Sequence, residues 1–217
     1  MLQTHPSPAA SAVVLAPGIA LARARAHEAT GPARAVLALL AAARLAGPVL
    51  WLGPARSAMQ LLGDGLSDFL DPARLVLVRP RKPAGILWAA EEALRSGEAP
   101  LVVADLDRPP PLLAVRRLHL AAEAGTGTPA PLALLLTPDP GGAPGIETRW
   151  RLAPAPGWAD EGAPRWRLTR ALARMAPETS WDVAIADGRL LLGGEARSTA
   201  ALREGGRQAQ TRIGITT

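Results

Sequence analysis

The chain has no cysteine among its 217 residues. That excludes a disulfide framework, a thiol nucleophile and a zinc-thiolate site, and it fits a reducing compartment. Lysine is almost missing as well: Lys82 stands alone, and the rest of the 24 basic residues are arginine. Two causes fit this bias, a GC-rich coding sequence and a preference for planar recognition of phosphate or carboxylate. The three histidines, His5, His27 and His119, are scattered without metal-ligand spacing. No G-x-S-x-G nucleophile turn occurs. Long hydrophobic runs are lacking too, since the apolar stretch 35–43 is closed off by Arg34 and Arg44, too short to span a bilayer. No Lys or Arg precedes Arg23, so 12–22 lacks the flank of a signal peptide. The expectation is a soluble, cytoplasmic protein with no membrane partner, no metal and no cofactor.

What is present is a globular composition, 48% hydrophobic and 20% charged. The length suits a single domain with a full core. Residues 13–194 carry its patterning. The Pro-, Ser- and Ala-rich segment 1–12 and the polar segment 195–217 read as disordered. A net charge of +5 permits nucleic-acid contact without requiring it.

The rest of the chain is organised around residues 71–107. Leu75-Val76-Leu77-Val78 is an apolar run after the turn signal Asp71-Pro72 and reads as a strand buried on both faces. Pro80 and Pro83 break it. Helical spacing follows over 84–96, with Leu87, Ala90 and Leu94 on one face, Glu91 four residues before Arg95 on the wet face, and Gly97 at the end. Leu101-Val102-Val103-Ala104 is a second strand, closed by Asp105. Strand, helix and strand in this order predict two parallel strands joined over a helix.

Around this unit the pattern predicts strands at 11–16, 21–28, 49–52 and 131–137, and helices at 33–46, 54–62 and 112–124. His27 and Glu28 come at a strand tip, where ligands gather in open α/β sheets, yet neighbours on a strand point to opposite faces. A structural role and a catalytic one both stay open for that pair. Near the end, Arg149-Trp150-Arg151-Leu152 and Arg165-Trp166-Arg167-Leu168 repeat one pattern. On strands, Trp and Leu point one way and arginine the other. The reading is two adjacent antiparallel strands with tryptophans in the core. Arg149, Arg151, Arg165 and Arg167 then form a candidate surface for a protein partner or single-stranded DNA. Asp187-Gly188 predicts a tight hairpin within 181–192.

Several pieces in order carry a resemblance: Pro48-Val49-Leu50-Trp51-Leu52-Gly53, Asp71-Pro72-Ala73-Arg74-Leu75, Glu91-Glu92-Ala93-Leu94-Arg95-Ser96-Gly97, Arg116-Arg117-Leu118, Ala121-Ala122-Glu123-Ala124-Gly125, Thr148-Arg149-Trp150-Arg151 and Ser180-Trp181-Asp182. Over 13–192 the sequence resembles RecA-type proteins and, more narrowly, the ImuA family of bacterial mutasome operons. The resemblance implies an α/β fold with a RecA-like, mostly parallel sheet flanked by helices and a C-terminal antiparallel extension. It also implies partnership with the Y-family-like ImuB, an error-prone C-family DNA polymerase and RecA in SOS-induced translesion synthesis.

The phosphate loop of that fold is degenerate here. A P-loop needs G-x-x-x-x-G-K-[ST]. The matching stretch, Ala29-Thr30-Gly31-Pro32-Ala33-Arg34-Ala35-Val36, keeps Gly31 but has neither the lysine nor the hydroxyl, and Arg34 does not replace a lysine's point charge. Asp105 takes the place of the Walker-B aspartate and, without those partners, is expected to cap the next helix or pair with Arg108. Thr137 stands where recombinases sense nucleotide with Gln, and the connections after Asp107 and Thr137 are short or proline-bound. The sequence therefore reads as a non-enzymatic accessory protein. A SulA-like division inhibitor and a weak DNA-dependent ATPase are the alternatives.

Overall fold

The computed structural model describes residues 12–54, 64–82, 84–125, 129–155, 165–174 and 176–192. The readings of 1–11, of a helix at 54–62 beyond Pro54, of Thr126-Gly127-Thr128 and of the tail from 193 onward lie outside them.

Eleven strands and three α-helices are described. A small hairpin, β1 (Ala12–Ala16) and β2 (Ile19–Ala22), stands apart from a nine-stranded sheet. The sheet contains β3 (Ala26–Thr30), β4 (Val49–Leu52), β5 (Leu75–Val78), β6 (Leu101–Asp105), β7 (Leu132–Leu136), β8 (Thr148–Pro154), β9 (Arg165–Ala173), β10 (Thr179–Ala186) and β11 (Arg189–Leu192). Its order is β11-β10-β9-β8-β3-β7-β6-β4-β5. From β8 to β5 every pairing is parallel, and from β8 to β11 every pairing is antiparallel. The fold is thus a mostly parallel α/β sheet with a C-terminal antiparallel extension, as expected.

The helices α1 (Arg34–Ala42), α2 (Ala84–Ser96) and α3 (Leu112–Ala124) cover the parallel part. On one face, Leu37, Leu40 and Ala41 of α1 pack with Val13, Leu15, Ile19 and Leu21 of the hairpin over Val103, Leu134 and Trp150. On the other, Ile86, Ala90 and Leu94 of α2 and Val115, Leu118 and Ala122 of α3 pack over Val102, Ala104, Ala133 and Leu135. Strands sandwiched this way need apolar residues at successive positions, and β7 (LALLL) is buried throughout.

Four expectations are corrected. The strand read at 21–28 is two strands, because Ala24 turns the chain at φ 57 between β2 and β3. The helix read at 33–46 is shorter, Arg34–Ala42. Leu75–Val78 is the edge strand rather than a doubly covered one, with Val76 43% exposed. It pairs with β4, which separates it from β6, so the two strands joined over α2 are parallel but not adjacent. Glu91, read on the wet face, is buried between Arg95 of its own helix and Arg117 of α3 at 2.7 Å each.

Candidate functional site: the carboxyl edge of the sheet

In an open α/β sheet the strand tips that receive ligands are the carboxyl ends. Here those tips hold Thr30 and the Gly31 turn (β3), Asp105 (β6), Thr137 (β7) and Arg151 (β8). Each of their polar groups contacts another part of the chain: Thr30 the Trp150 carbonyl, Asp105 Arg34, Thr137 Glu28 and Arg151 Asp139.

The loop after β3 lies against β8. Gly31 adopts φ +87, and a Cβ there would come within 2.5 Å of the Leu152 carbonyl oxygen. Only glycine allows the backbones to approach so closely. The Ala33 amide, at the N-terminus of α1, donates to that same carbonyl at 3.2 Å. In a phosphate loop such amides point at the ligand; this one is committed to β8. Arg34, one residue on, directs its Nη2 to 3.9 Å from Asp105 Oδ1. The structure places Arg34 between the Gly31 turn, whose carbonyl accepts from the Arg34 amide at 3.3 Å, and Asp105. It changes the partner read for Asp105, however, from Arg108 or a helix cap to Arg34. Helix α3 starts behind Pro111 with no side-chain cap.

On the other face of β3, Glu28 is fully buried. Its carboxylate accepts from Thr137 Oγ1 at 2.6 Å, from the amides of Gly142 and Ala143 at 3.1–3.3 Å, and from Arg149 Nε at 2.5 Å. Arg149 Nη2 also donates to the Ala143 carbonyl at 3.2 Å. This carboxylate is held by four N–H or O–H donors, from the end of β7, the loop after it and β8, so a buried charge is tolerated. His27 faces the opposite way, towards the hairpin. Its Nε2 lies 2.8 Å from the Ala22 carbonyl and its Nδ1 2.7 Å from Thr148 Oγ1, which accepts from Trp150 Nε1 at 2.7 Å. A neutral ring with its proton on Nε2 satisfies that chain. Burial pushes the His27 pKa down to about 4, more than the Ala22 carbonyl raises it.

The four arginines lie on strands as read. Trp150 and Leu152 of β8 and Leu168 of β9 enter the core, and Trp166 packs against it. Arg149 and Arg151 alternate with Trp150 and Leu152. In the β8–β9 pairing Arg151 is opposite Thr169 and Ala153 opposite Arg167, so Arg151 and Arg167 share a face. Arg149, Arg151 and Arg167 pair with carboxylates of described residues. Arg149 is drawn to Glu28 and is only 16% exposed. Arg151 forks onto Asp139 at 2.8–2.9 Å and holds that carboxyl below its usual pKa. Arg167 pairs with Asp182 of β10 at 2.8 Å. Arg165 is half-buried at the start of β9, opposite Ala184.

Three contributors were not singled out from sequence: Thr148, Asp139 and Arg170. The last places its guanidinium 5.9 Å from the Trp150 ring centroid and 5.5 Å from that of Trp181. A signal for it existed, since Trp166, Leu168 and Arg170 follow period two.

Fold and site together define an α/β protein in which, among the described residues, ion pairs and hydrogen bonds engage polar groups at the carboxyl ends of β3, β6 and β7. Among the described residues no cluster of three or more His, Asp or Glu has the arrangement to hold a metal ion, and no helix is long and apolar enough to cross a membrane. No family model and no curated protein matches the sequence. Among solved structures, SulA from Pseudomonas aeruginosa is similar over 48% of this chain and 82% of its own, with 23% identity and a TM-score of 0.38. A superposition of that quality does not transfer a function.

Proposed function

We propose that the protein is a non-catalytic accessory component of SOS-induced translesion DNA synthesis, assembling with ImuB, an error-prone C-family polymerase and RecA. The observation that carries the non-catalytic part is the engagement of polar groups at the carboxyl ends of β3 and β6. Arg34 reaches to 3.9 Å from Asp105, and the Ala33 amide is spent on the Leu152 carbonyl. A phosphate loop works by presenting free amides and a lysine point charge; Gly31-Pro32-Ala33-Arg34 has no lysine, and the amides of Ala33 and Arg34 already donate to the carbonyls of Leu152 and Gly31. The assembly part is supported by the ordered sequence pieces over 13–192. For a partner or single-stranded DNA, Arg151, Arg165 and Arg167 are the accessible members of the arginine face. Arg149 acts instead as the counter-ion of Glu28.

Calorimetric titration and co-purification test this together. With millimolar ATP and Mg²⁺ we expect no saturable heat and no thermal shift beyond that of any polyanion. Purified with the ImuB of the same genome, the protein should form a complex, and its deletion should lower damage-induced mutagenesis. A saturable ATP signal lost in Asp105→Asn would establish the ATPase reading. Filamentous cells on overexpression, with binding to the division protein FtsZ and none to ImuB, would establish a SulA-like inhibitor.

A further inference from the structure

Of the seven large apolar side chains exposed among the described residues, four lie on the helical layer: Trp88 on α2 and Leu112, Leu113 and Leu120 on α3. Single exposed leucines are ordinary, but a cluster on one layer marks a contact surface. Part of it is shaped. A groove of about 430 Å³ runs along α3, between Leu112 and Leu120 on one side and Arg25, Gly145 and Arg174 on the other. Leu112 is 48% and Leu120 64% exposed. Arg116 stands between the two leucines on the same ridge of α3, at i+4 from the first and i−4 from the second.

The charges of the groove are unequal. Arg25, Arg116 and Arg174 line it against a single lining carboxylate, Glu123, which pairs with Arg25. Arg25 and Arg174 also share Glu147, at 3.7 and 3.5 Å, distances long enough for another carboxylate to compete. Among the described residues Arg116 has no ion-pair partner. His119 is engaged with the backbone. Its Nδ1 accepts from the Ala26 amide, its Nε2 faces the Gly145 carbonyl at 3.1 Å, and burial lowers its pKa.

We infer that this groove is a docking site for an acidic amphipathic segment of a partner protein, whose apolar side chains cover Leu112 and Leu120 while its carboxylates meet Arg116, Arg174 and Arg25. Leucine anchors with an arginine between them suit a helix or short strand that alternates apolar and acidic residues. Nucleic acid fits less well, because its bases need aromatic stacking faces that the groove does not offer. The inference deepens the assembly reading by naming one surface and the chemistry of what it receives.

Fluorescence anisotropy with the full chain tests it. The probe is a fluorescein-labelled 14-residue peptide with leucines at helical spacing and Asp or Glu elsewhere. A control replaces every Asp and Glu by Lys. The acidic probe should bind saturably and weaken as salt rises, and the lysine probe should not bind. Leu120→Asp and Arg116→Glu, both at exposed positions, should each weaken binding at least tenfold without lowering the melting temperature by more than a few degrees. Equal binding of the two probes, no saturable binding, indifference to both substitutions, or displacement by a thymidine oligonucleotide at equal charge would each overturn the inference. If the acidic probe fails while ImuB still co-purifies, the groove is wrong and the assembly reading stands. If the probe binds and ImuB does not, the reverse holds.

Discussion

Strands β3, β6 and β7 are buried at every position, whereas β9 and β10 bury only Leu168, Val183 and Ala184 outright. Both sets belong to one sheet, so the difference lies in what covers it. In the parallel half, α1 and the hairpin cover one face and α2 and α3 the other. In the antiparallel half the core reaches one face, and the second carries Arg151, Arg167, Ser180 and Asp182. The consequence is energetic. A polar side chain in the covered half must find a complete set of partners, because an unmet charge there costs several kcal/mol. On the open face water substitutes for a lost partner. Glu28 and Asp182 are both carboxylates paired with arginines on neighbouring strands, and they should behave very differently when the pair is broken.

The sharpest test removes Arg149. Arg149→Ala leaves the Glu28 charge buried without its cation and should cost on the order of 3–5 kcal/mol in urea denaturation. The double change Glu28→Gln with Arg149→Met should cost less than the sum of the single changes, since it removes the uncompensated charge. If Arg149→Ala costs under about 1 kcal/mol, the covered half is not as dry as its burial indicates.

A second test uses pH. His27 titrates near 6.5 when unfolded and at about 4 when folded. Between these values the unfolded chain takes up a proton that the folded chain refuses, so stability falls as pH drops through that window. The contribution is intact above about 6.5 and lost below about 4, a change of roughly 3 kcal/mol. Unfolding free energies between pH 7 and 4, compared with those of His27→Gln, isolate it, and an unchanged slope in the variant would remove His27 as its source.

Gly31→Ala tests the seam between the halves. It forces a side chain into φ +87 and against the Leu152 carbonyl, and should cost about 1–3 kcal/mol, read as a lower melting temperature. The smallest effect belongs to the open face. Arg167→Ala breaks the Arg167–Asp182 pair, whose side chains are 52% and 58% exposed, and should cost at most about 1 kcal/mol. A larger loss would mean that this face is covered in solution.

Much of the covered half was legible because burial on both faces writes continuous apolar runs. Leu101 to Ala104 and the Leu132 run announce themselves, and helical spacing located Leu112–Ala124 to the residue. The Asp187-Gly188 hairpin was equally plain, since both residues adopt positive φ, 49 and 67. Strand order was not legible. Nothing local says that β5 is an edge, and Ala24 carries no turn signal although it turns. The site was half legible. The missing lysine of the phosphate loop is a local fact, whereas Glu28 finds Thr137 109 residues away and Arg149 121 residues away. Only the folded topology brings such partners together, and so the role of Glu28 and the pairing of Arg149 could not be read from spacing.

The clasp of Glu28 and Arg149 has a bearing on how the chain can be divided. Cutting between 147 and 148 separates what looks like a complete α/β core from an all-antiparallel remainder. Yet the cut exposes the long edge of β3 and takes the cation away from a carboxylate sealed beneath the 138–147 loop. The remainder, for its part, loses the strand against which β8 lies. Neither fragment carries its own complement, so the two are each other's missing half. Expressed separately they should stay soluble only when mixed, which makes this junction a natural point for building a two-piece reporter whose signal reports reassembly.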